Sequence, residues 1–197
     1  MAFWPPKPVE NLMHNESIDK AVNTIQAGGL LAYPTEAVIG LGCDPFNQAA
    51  VQRLLDLKRR PADKGLILIA NSWSQLEDLL LPLSSEQLTK MQASWPGPTT
   101  WLVPCKASVP RWLKGRFESL AVRIPGHGIA REICNAAGSP LVSTSANFSG
   151  EEAAVKTSQL PKPLVDALDF VFPADAGTAP APSQIIDLLT GAVVRRS

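Results

Sequence analysis

The run Lys58-Arg59-Arg60-Pro61-Ala62-Asp63-Lys64 places four cations within seven residues at the end of an amphipathic stretch. Lysine meets a phosphate as a point charge and arginine as a bidentate fork, so the run could clamp an anion. Positive charge at a helix C-terminus is also favourable by itself, by ~0.3–1 kcal/mol, and that explains the cluster without any ligand. The apolar strand that follows favours the clamp, because it makes the cluster the lip of a buried sheet.

Four further segments carry groups of the right type. Leu141-Val142-Ser143 reads as a buried strand running into Thr144-Ser145-Ala146-Asn147-Phe148-Ser149-Gly150, whose hydroxyls and amide suit phosphate, ribose or base edges. A generic polar loop would look the same. In Tyr33-Pro34-Thr35-Glu36-Ala37-Val38-Ile39-Gly40-Leu41-Gly42, a hydroxyl and a carboxylate follow a proline turn at a strand end, where α/β sheets bind ligands. The alternative is an ordinary turn with structural glycines. Arg123 interrupts the apolar run Leu120-Ala121-Val122-Arg123-Ile124, where an unpaired buried charge is costly. It either meets an anionic ligand or points to solvent on an alternating strand. In Trp95-Pro96-Gly97-Pro98-Thr99-Thr100-Trp101, Thr99 or Thr100 could donate into a site, or the turn is simply braced by core tryptophans.

Other chemistries are excluded or disfavoured. There is no GxGxxG, no P-loop and no GxSxG. Cys43, Cys105 and Cys134 are far apart and odd in number, and with two histidines they suggest neither zinc nor disulfides but small buried side chains. No resident metal site is predicted. Ser17-Ile18-Asp19-Lys20 has Ser-x-x-Lys spacing, yet an N-cap at Ser17 explains it better. His127, between two glycines, reads as the start of a helix rather than a base.

The elements that must position these groups follow from periodicity. A helix capped by Ser17 runs to Gly28-Gly29; strands cover 30–33, 37–41 and 66–70; a helix spans 47–58 and ends at Pro61. Helices are predicted over 74–81, 84–93 and 129–137, and strands over 101–104, 120–124, 141–143, 170–172, 184–188 and 192–195. Alternating strands and helices give an α/β layer, and the irregular strand spacing predicts a mixed parallel and antiparallel sheet. A chain of 197 residues is about 1.3 domain lengths, so one domain is expected. Its 18 prolines are concentrated at residues 5–8 and 161–182, the first group reading as a flexible arm (1–10) before the folded domain (11–197). Eighteen acids balance eighteen bases, so any nucleic-acid contact must be local. No apolar stretch reaches the ~18 residues of a membrane span, and the N-terminus lacks a signal-peptide pattern, so a cytoplasmic protein is expected.

In order along the chain, YPTEAVIGLGCDP, LKRRPADKGLILIA, WPGPTTW, GRFESLAVRIP, PLVSTSANFSGE and PSQIIDLLTG resemble the YrdC/TsaC family of threonylcarbamoyl-AMP synthases, in its short bacterial form. The resemblance implies a YrdC-like fold with a concave, positively lined cavity. It implies a reaction of L-threonine, bicarbonate or CO2, and ATP that yields L-threonylcarbamoyl-AMP and pyrophosphate. The adenylate then serves partner proteins that modify adenosine 37 of tRNA, and the family binds double-stranded RNA or tRNA. Mg2+ is expected on the ATP phosphates.

By the same resemblance Lys58, Arg60, Ser145 and Asn147 face the phosphates and the reacting centre. Thr35 lies at the threonine, and Thr99 or Thr100 near ATP. Arg123 holds the threonine carboxylate. Ser143 and Ser183 face ligand, and Arg195 lies near the nucleotide. The chain departs from the family at Ile39, often a tyrosine, which removes an expected aromatic wall, and near Ala70, where long relatives carry a histidine. The competing readings are a non-catalytic RNA-binding or ribosome-maturation factor and a carbamoyl-adenylate domain like that of hydrogenase maturation proteins, which sits in much longer chains.

Overall fold

The apolar runs pair into one mixed sheet. The computed structural model describes residues 9–196. Its strands are β1 (Leu31–Pro34), β2 (Ile39–Gly42), β3 (Ile67–Ile69), β4 (Thr99–Pro104), β5 (Ser119–Arg123), β6 (Leu141–Ser145), β7 (Phe170–Val171), β8 (Gln184–Asp187) and β9 (Val193–Arg195). They lie in the order β7-β1-β2-β6-β3-β5-β4-β8-β9. The pairs β1/β7, β3/β5 and β4/β8 are parallel and the others antiparallel, so the sheet is mixed, as the strand spacing predicted.

Helices cover both faces. On one, α1 (Val9–Gln26) and α5 (Gly128–Ala137) pack through Ile18, Ala21, Ile25, Ala130 and Ile133 onto Leu31, Tyr33 and Leu141. On the other, α2 (Gln48–Leu57) buries Val51, Leu54 and Leu55, the i, i+3, i+4 stripe visible in its sequence. The shorter α3 (Ser85–Gln92), α4 (Arg111–Lys114) and α6 (Lys162–Val165) complete the layers. Asn47 and Ser84 cap α2 and α3 with their side chains.

Three local expectations need correction. Ser17 lies inside α1 and donates to the Met13 carbonyl one turn back, so it is not an N-cap. Residues 74–81 form two 3-10 turns, Trp73–Gln75 and Glu77–Leu79, because the backbone of Leu79–Leu81 bonds to residues 104–106 at the end of β4 instead of continuing a helix. Helix α2 ends before Pro61. Arg59 adopts φ 49°, and the Arg59 and Arg60 amides close onto the Asp56 and Leu55 carbonyls, a left-handed helix stop usually given to glycine. The turn exposes Arg59 and places Lys58 and Arg60 on its inner side. Of the expected N-terminal arm, residues 1–8 lie outside the described residues, and Val9 and Glu10 belong to α1.

The Gly40-Leu41-Gly42 step has a packing cause. A Cβ on Gly42 would sit 2.5 Å from the Val142 carbonyl oxygen and 2.8 Å from the Tyr33 ring. Gly128, by contrast, has open space around it. Gly42→Ala should therefore lower unfolding free energy by roughly 1–3 kcal/mol. Gly128→Ala, in the first turn of α5, should raise it by about 0.4–1 kcal/mol. Urea titrations of the two variants check both signs.

Candidate active site

Period-2 alternation builds the site. On β5, Leu120 and Val122 enter the core, so Ser119, Ala121 and Arg123 face the opposite side. That side is a cavity of about 390 Å³ rather than solvent. Ser143–Ser145 of β6, Leu102 of β4, Ile185 of β8, and Val194 and Arg195 of β9 continue the wall. The proline-rich segment before β8 closes another side. Gly177 and Ala179 donate their amides to the Thr35 and Glu36 carbonyls, and Ala181, Pro182 and Ser183 line the cavity.

Seven of the expected site residues line this space: Thr35, Arg60, Arg123, Ser143, Ser145, Ser183 and Arg195. The other four, Lys58, Thr99, Thr100 and Asn147, stand behind the wall. Lys58 Nζ donates to the Ser145 carbonyl, the Asn147 carbonyl (2.8 Å) and Asn147 Oδ1 (3.2 Å). Ser145 Oγ donates to the same Oδ1 at 2.6 Å, and Asn147 Nδ2 reaches the Glu151 carbonyl at 2.6 Å. Lys58 therefore shapes the loop after β6, and Asn147 is consumed within it. Thr100 Oγ1 shares a 2.9 Å hydrogen bond with Ser183 Oγ. Thr99 accepts from Gln184 Nε2, and its carbonyl accepts from Trp95 Nε1, so here the tryptophan-braced turn describes the residue. Arg195 Nη2 donates to the Ser183 carbonyl (2.6 Å) and to its hydroxyl (3.2 Å).

Arg123 is 6% exposed, which rules out the solvent-facing reading. Its Nη1 donates to both oxygens of Glu36 at 3.0 Å, and Glu36 Oε1 also accepts the Gly126 amide at 2.8 Å. Arg123 Nε is buried with no partner. Arg60 gives Nη2 to the Gly65 carbonyl at 2.9 Å, and its Nε is likewise buried and unpartnered. Buried polar groups are nearly always hydrogen-bonded, so two such guanidinium edges mark places for acceptors.

The charge on the wall is one-sided. Arg60, Lys64, Lys114, Arg123 and Arg195 line the cavity, and Glu36 is the one carboxylate among the described residues that line it. Burial lowers the Arg60 pKa from its ordinary value. Burial, then the charges of Arg123 and Arg60, lower that of Arg195. Lys58 is pushed down to about 8 by burial and then by Arg60. Burial and neighbouring cations thus disfavour the charge on Arg195 and Lys58, and an anion entering beside them would relieve it.

Sequence reasoning placed Lys64 in the anion-binding cluster and Glu36 at a ligand-binding strand end without assigning either to the site, and it gave no role to Lys114, Phe117 or Val194; all five are in the wall. Glu36 had a signal, its place beside Thr35 after a proline turn, and Lys64 had its place in the cationic run; the other three had none beyond lying near cationic or apolar runs. The two departures do not touch the site. Ile39 and Ala70 are fully buried in the core and absent from the wall, so the missing tyrosine removes no aromatic surface from this cavity. Among the described residues no group of three or more His, Cys, Asp or Glu could hold a metal, and the three cysteines are free and buried.

A family model, Sua5/YciO/YrdC, described as telomere recombination, matches residues 23–197. The threonylcarbamoyl-AMP synthase of Xanthomonas campestris pv. campestris (strain B100) is 47% identical over 184 residues, which cover 92% of this chain and 98% of the relative. P. abyssi Sua5 complexed with L-threonine has 32% identity and a TM-score of 0.81, over 86% of this chain and 50% of that one. E. coli YciO has 25% identity and a TM-score of 0.79, over 98% of this chain and 92% of that one. The matched segment contains every residue that lines the cavity, and the chain belongs to the Sua5/YciO/YrdC family.

Proposed function

We propose that the chain is a threonylcarbamoyl-AMP synthase, which joins L-threonine, bicarbonate or CO2, and ATP into L-threonylcarbamoyl-AMP and pyrophosphate. The product would feed the modification of tRNA adenosine 37 by partner proteins in the cytoplasm. The observation that carries the reading is the cavity's two buried guanidinium edges, on Arg123 and Arg60, within a wall of five cations. Such a wall suits a substrate set with a carboxylate and several phosphates. The near-full-length relative bearing that name and the threonine complex of P. abyssi Sua5 support the same choice.

The unpartnered edge of Arg123, Nε with Nη2, receives the threonine carboxylate as a fork. Thr35 and Ser143 offer hydroxyls on the same wall. Arg60, Lys64 and Arg195 receive the phosphates. The threonine amine, once deprotonated, captures CO2 and loses a second proton to give a carbamate. A carbamate oxygen attacks the α-phosphorus, and pyrophosphate leaves with the bonding pair. Charge builds on the phosphoryl oxygens and the leaving group, where fixed cations stabilise it. Lys58 acts indirectly, by fixing the Ser145–Asn147 loop. The donor set does not fit a resident Mg2+, because the described wall offers one carboxylate, Glu36, among five cations. An ion arriving with ATP would be held by phosphate oxygens and water.

Pyrophosphate release from the purified chain tests the reading directly. It should require ATP, L-threonine and bicarbonate together. Release without threonine dependence would replace the amine substrate, and no release with tight tRNA binding would favour a non-catalytic RNA factor.

Lys58→Ala should lower turnover by about 10²-fold, the scale of a misplacement of about 1 Å, because the loop that presents Ser145 loses its anchor. The wild-type rate should also fall as pH rises through about 8, since a neutral amine has two hydrogens for three oxygens. That alkaline limb should be missing from the Lys58→Ala profile.

Arg123→Ala should raise the KM for threonine at least about 30-fold, equivalent to ~2 kcal/mol for a buried charged contact, and change that for ATP far less. Steady-state kinetics with each substrate varied in turn decide this; equal effects on both would make Arg123 structural.

A further inference from the structure

We propose that Glu36 selects the amino group of the substrate. It would receive the ammonium of a zwitterionic α-amino acid whose carboxylate occupies the open edge of Arg123. The inference rests on the threonine reading above and assigns the other half of the amino acid.

The first argument is charge. Five cations line the cavity, and an ammonium entering it is repelled by each. Among the described lining residues Glu36 alone offsets this locally. Its side chain is 14% exposed, so it is presented to the cavity in a site where solvent screens it weakly.

The second argument is geometry. Glu36 binds Arg123 through Nη1 alone, at 3.0 Å to each oxygen. Nε lies on the opposite edge of the guanidinium, with Nη2, and is buried without a partner. One planar group thus carries a fixed carboxylate on Nη1 and an unpartnered fork, Nε with Nη2, on its other side. In an α-amino acid the ammonium and the carboxylate are attached to the same carbon. With the carboxylate on the fork, that ammonium stays in the cavity whose wall Arg123 and Glu36 share.

The third argument is capacity. Glu36 Oε1 accepts two hydrogen bonds, from Arg123 and Gly126, whereas Oε2 accepts one. An ionised carboxylate has about four acceptor positions, so Oε2 retains room for an N–H donor. The Gly126 amide and Arg123 hold the carboxylate in place from two separate segments, and the ordering cost is met before substrate arrives. A hydroxy acid of the same skeleton would fill the Arg123 fork and place an uncharged hydroxyl at Glu36. The pair is therefore a filter for the amine, the group that must later bind carbon.

The test is calorimetric titration of the full chain, wild type and Glu36→Gln, with L-threonine and with 2,3-dihydroxybutanoate of matching stereochemistry, which carries a hydroxyl where threonine has its ammonium. The readout is binding, so proton transfer at the amine does not enter. Wild type should prefer threonine by at least about tenfold, the scale of a partly buried charge pair. In Glu36→Gln the preference should collapse through threonine alone, with the dihydroxy acid within about twofold of its wild-type affinity. Equal wild-type affinities, a result that needs no variant, would overturn the proposal. So would parallel weakening of both ligands in a variant that melts like the wild type, because Glu36 would then only align Arg123. If wild type binds neither ligand, the substrate assignment itself fails, and the role of Glu36 with it.

Discussion

A permanently charged guanidinium in the middle of an apolar sheet is the constraint around which this fold is arranged. Arg123 lies on β5 between β3 and β4, and an arginine there cannot escape its charge by losing a proton. The structure answers with Glu36, brought from the turn between β1 and β2, and it holds Glu36 in turn through the Gly126 amide at the end of β5. The segment before β8 then ties itself to the backbone of Thr35 and Glu36. Three stretches far apart in sequence converge on one ion pair, and the cavity is the space they leave open.

The same electrostatics explains why supporting residues stand behind the wall. Fixed cations stabilise developing negative charge only if they do not move when it appears. Lys58 and Asn147 hold the loop after β6, and Thr100 and Arg195 fix Ser183 from two sides. Even the backbone contributes. Arg59 accepts a left-handed conformation, which costs of order 1–3 kcal/mol, and that turn puts Arg60 in the cavity wall while Lys58 stays behind it.

Much of this was legible in the sequence. The β5 alternation was correctly read, with Leu120 and Val122 inward; what the sequence could not say was that the other face is a cavity. Whether the outer face of a strand meets water or a closed space depends on β4, β6 and β8, whose register is set over many tens of residues. The Lys58–Lys64 cluster was found by spacing, yet its residues divide between wall, support and surface because of a backbone angle at Arg59 that residue types do not announce. The 74–81 segment departs for a similar reason: its leucines satisfy a helical stripe on paper, and backbone pairing with the distant end of β4 sets its course instead.

Ile39 shows the limit of reasoning from departures. A missing aromatic in the Gly-Leu-Gly run looked like a change in the pocket, because the run borders the site. The alternation of β2 decides otherwise. Gly40 lines the cavity, so Ile39 and Leu41 must face the core, and both are fully buried there. Substitution at position 39 is then a question of core volume, and the cavity keeps its shape as long as Gly40 stays small enough to leave room for Thr35 and the ring of Tyr33, which a Cβ would meet at 3.1 and 3.2 Å. The residue that controls this stretch of wall is the one without a side chain.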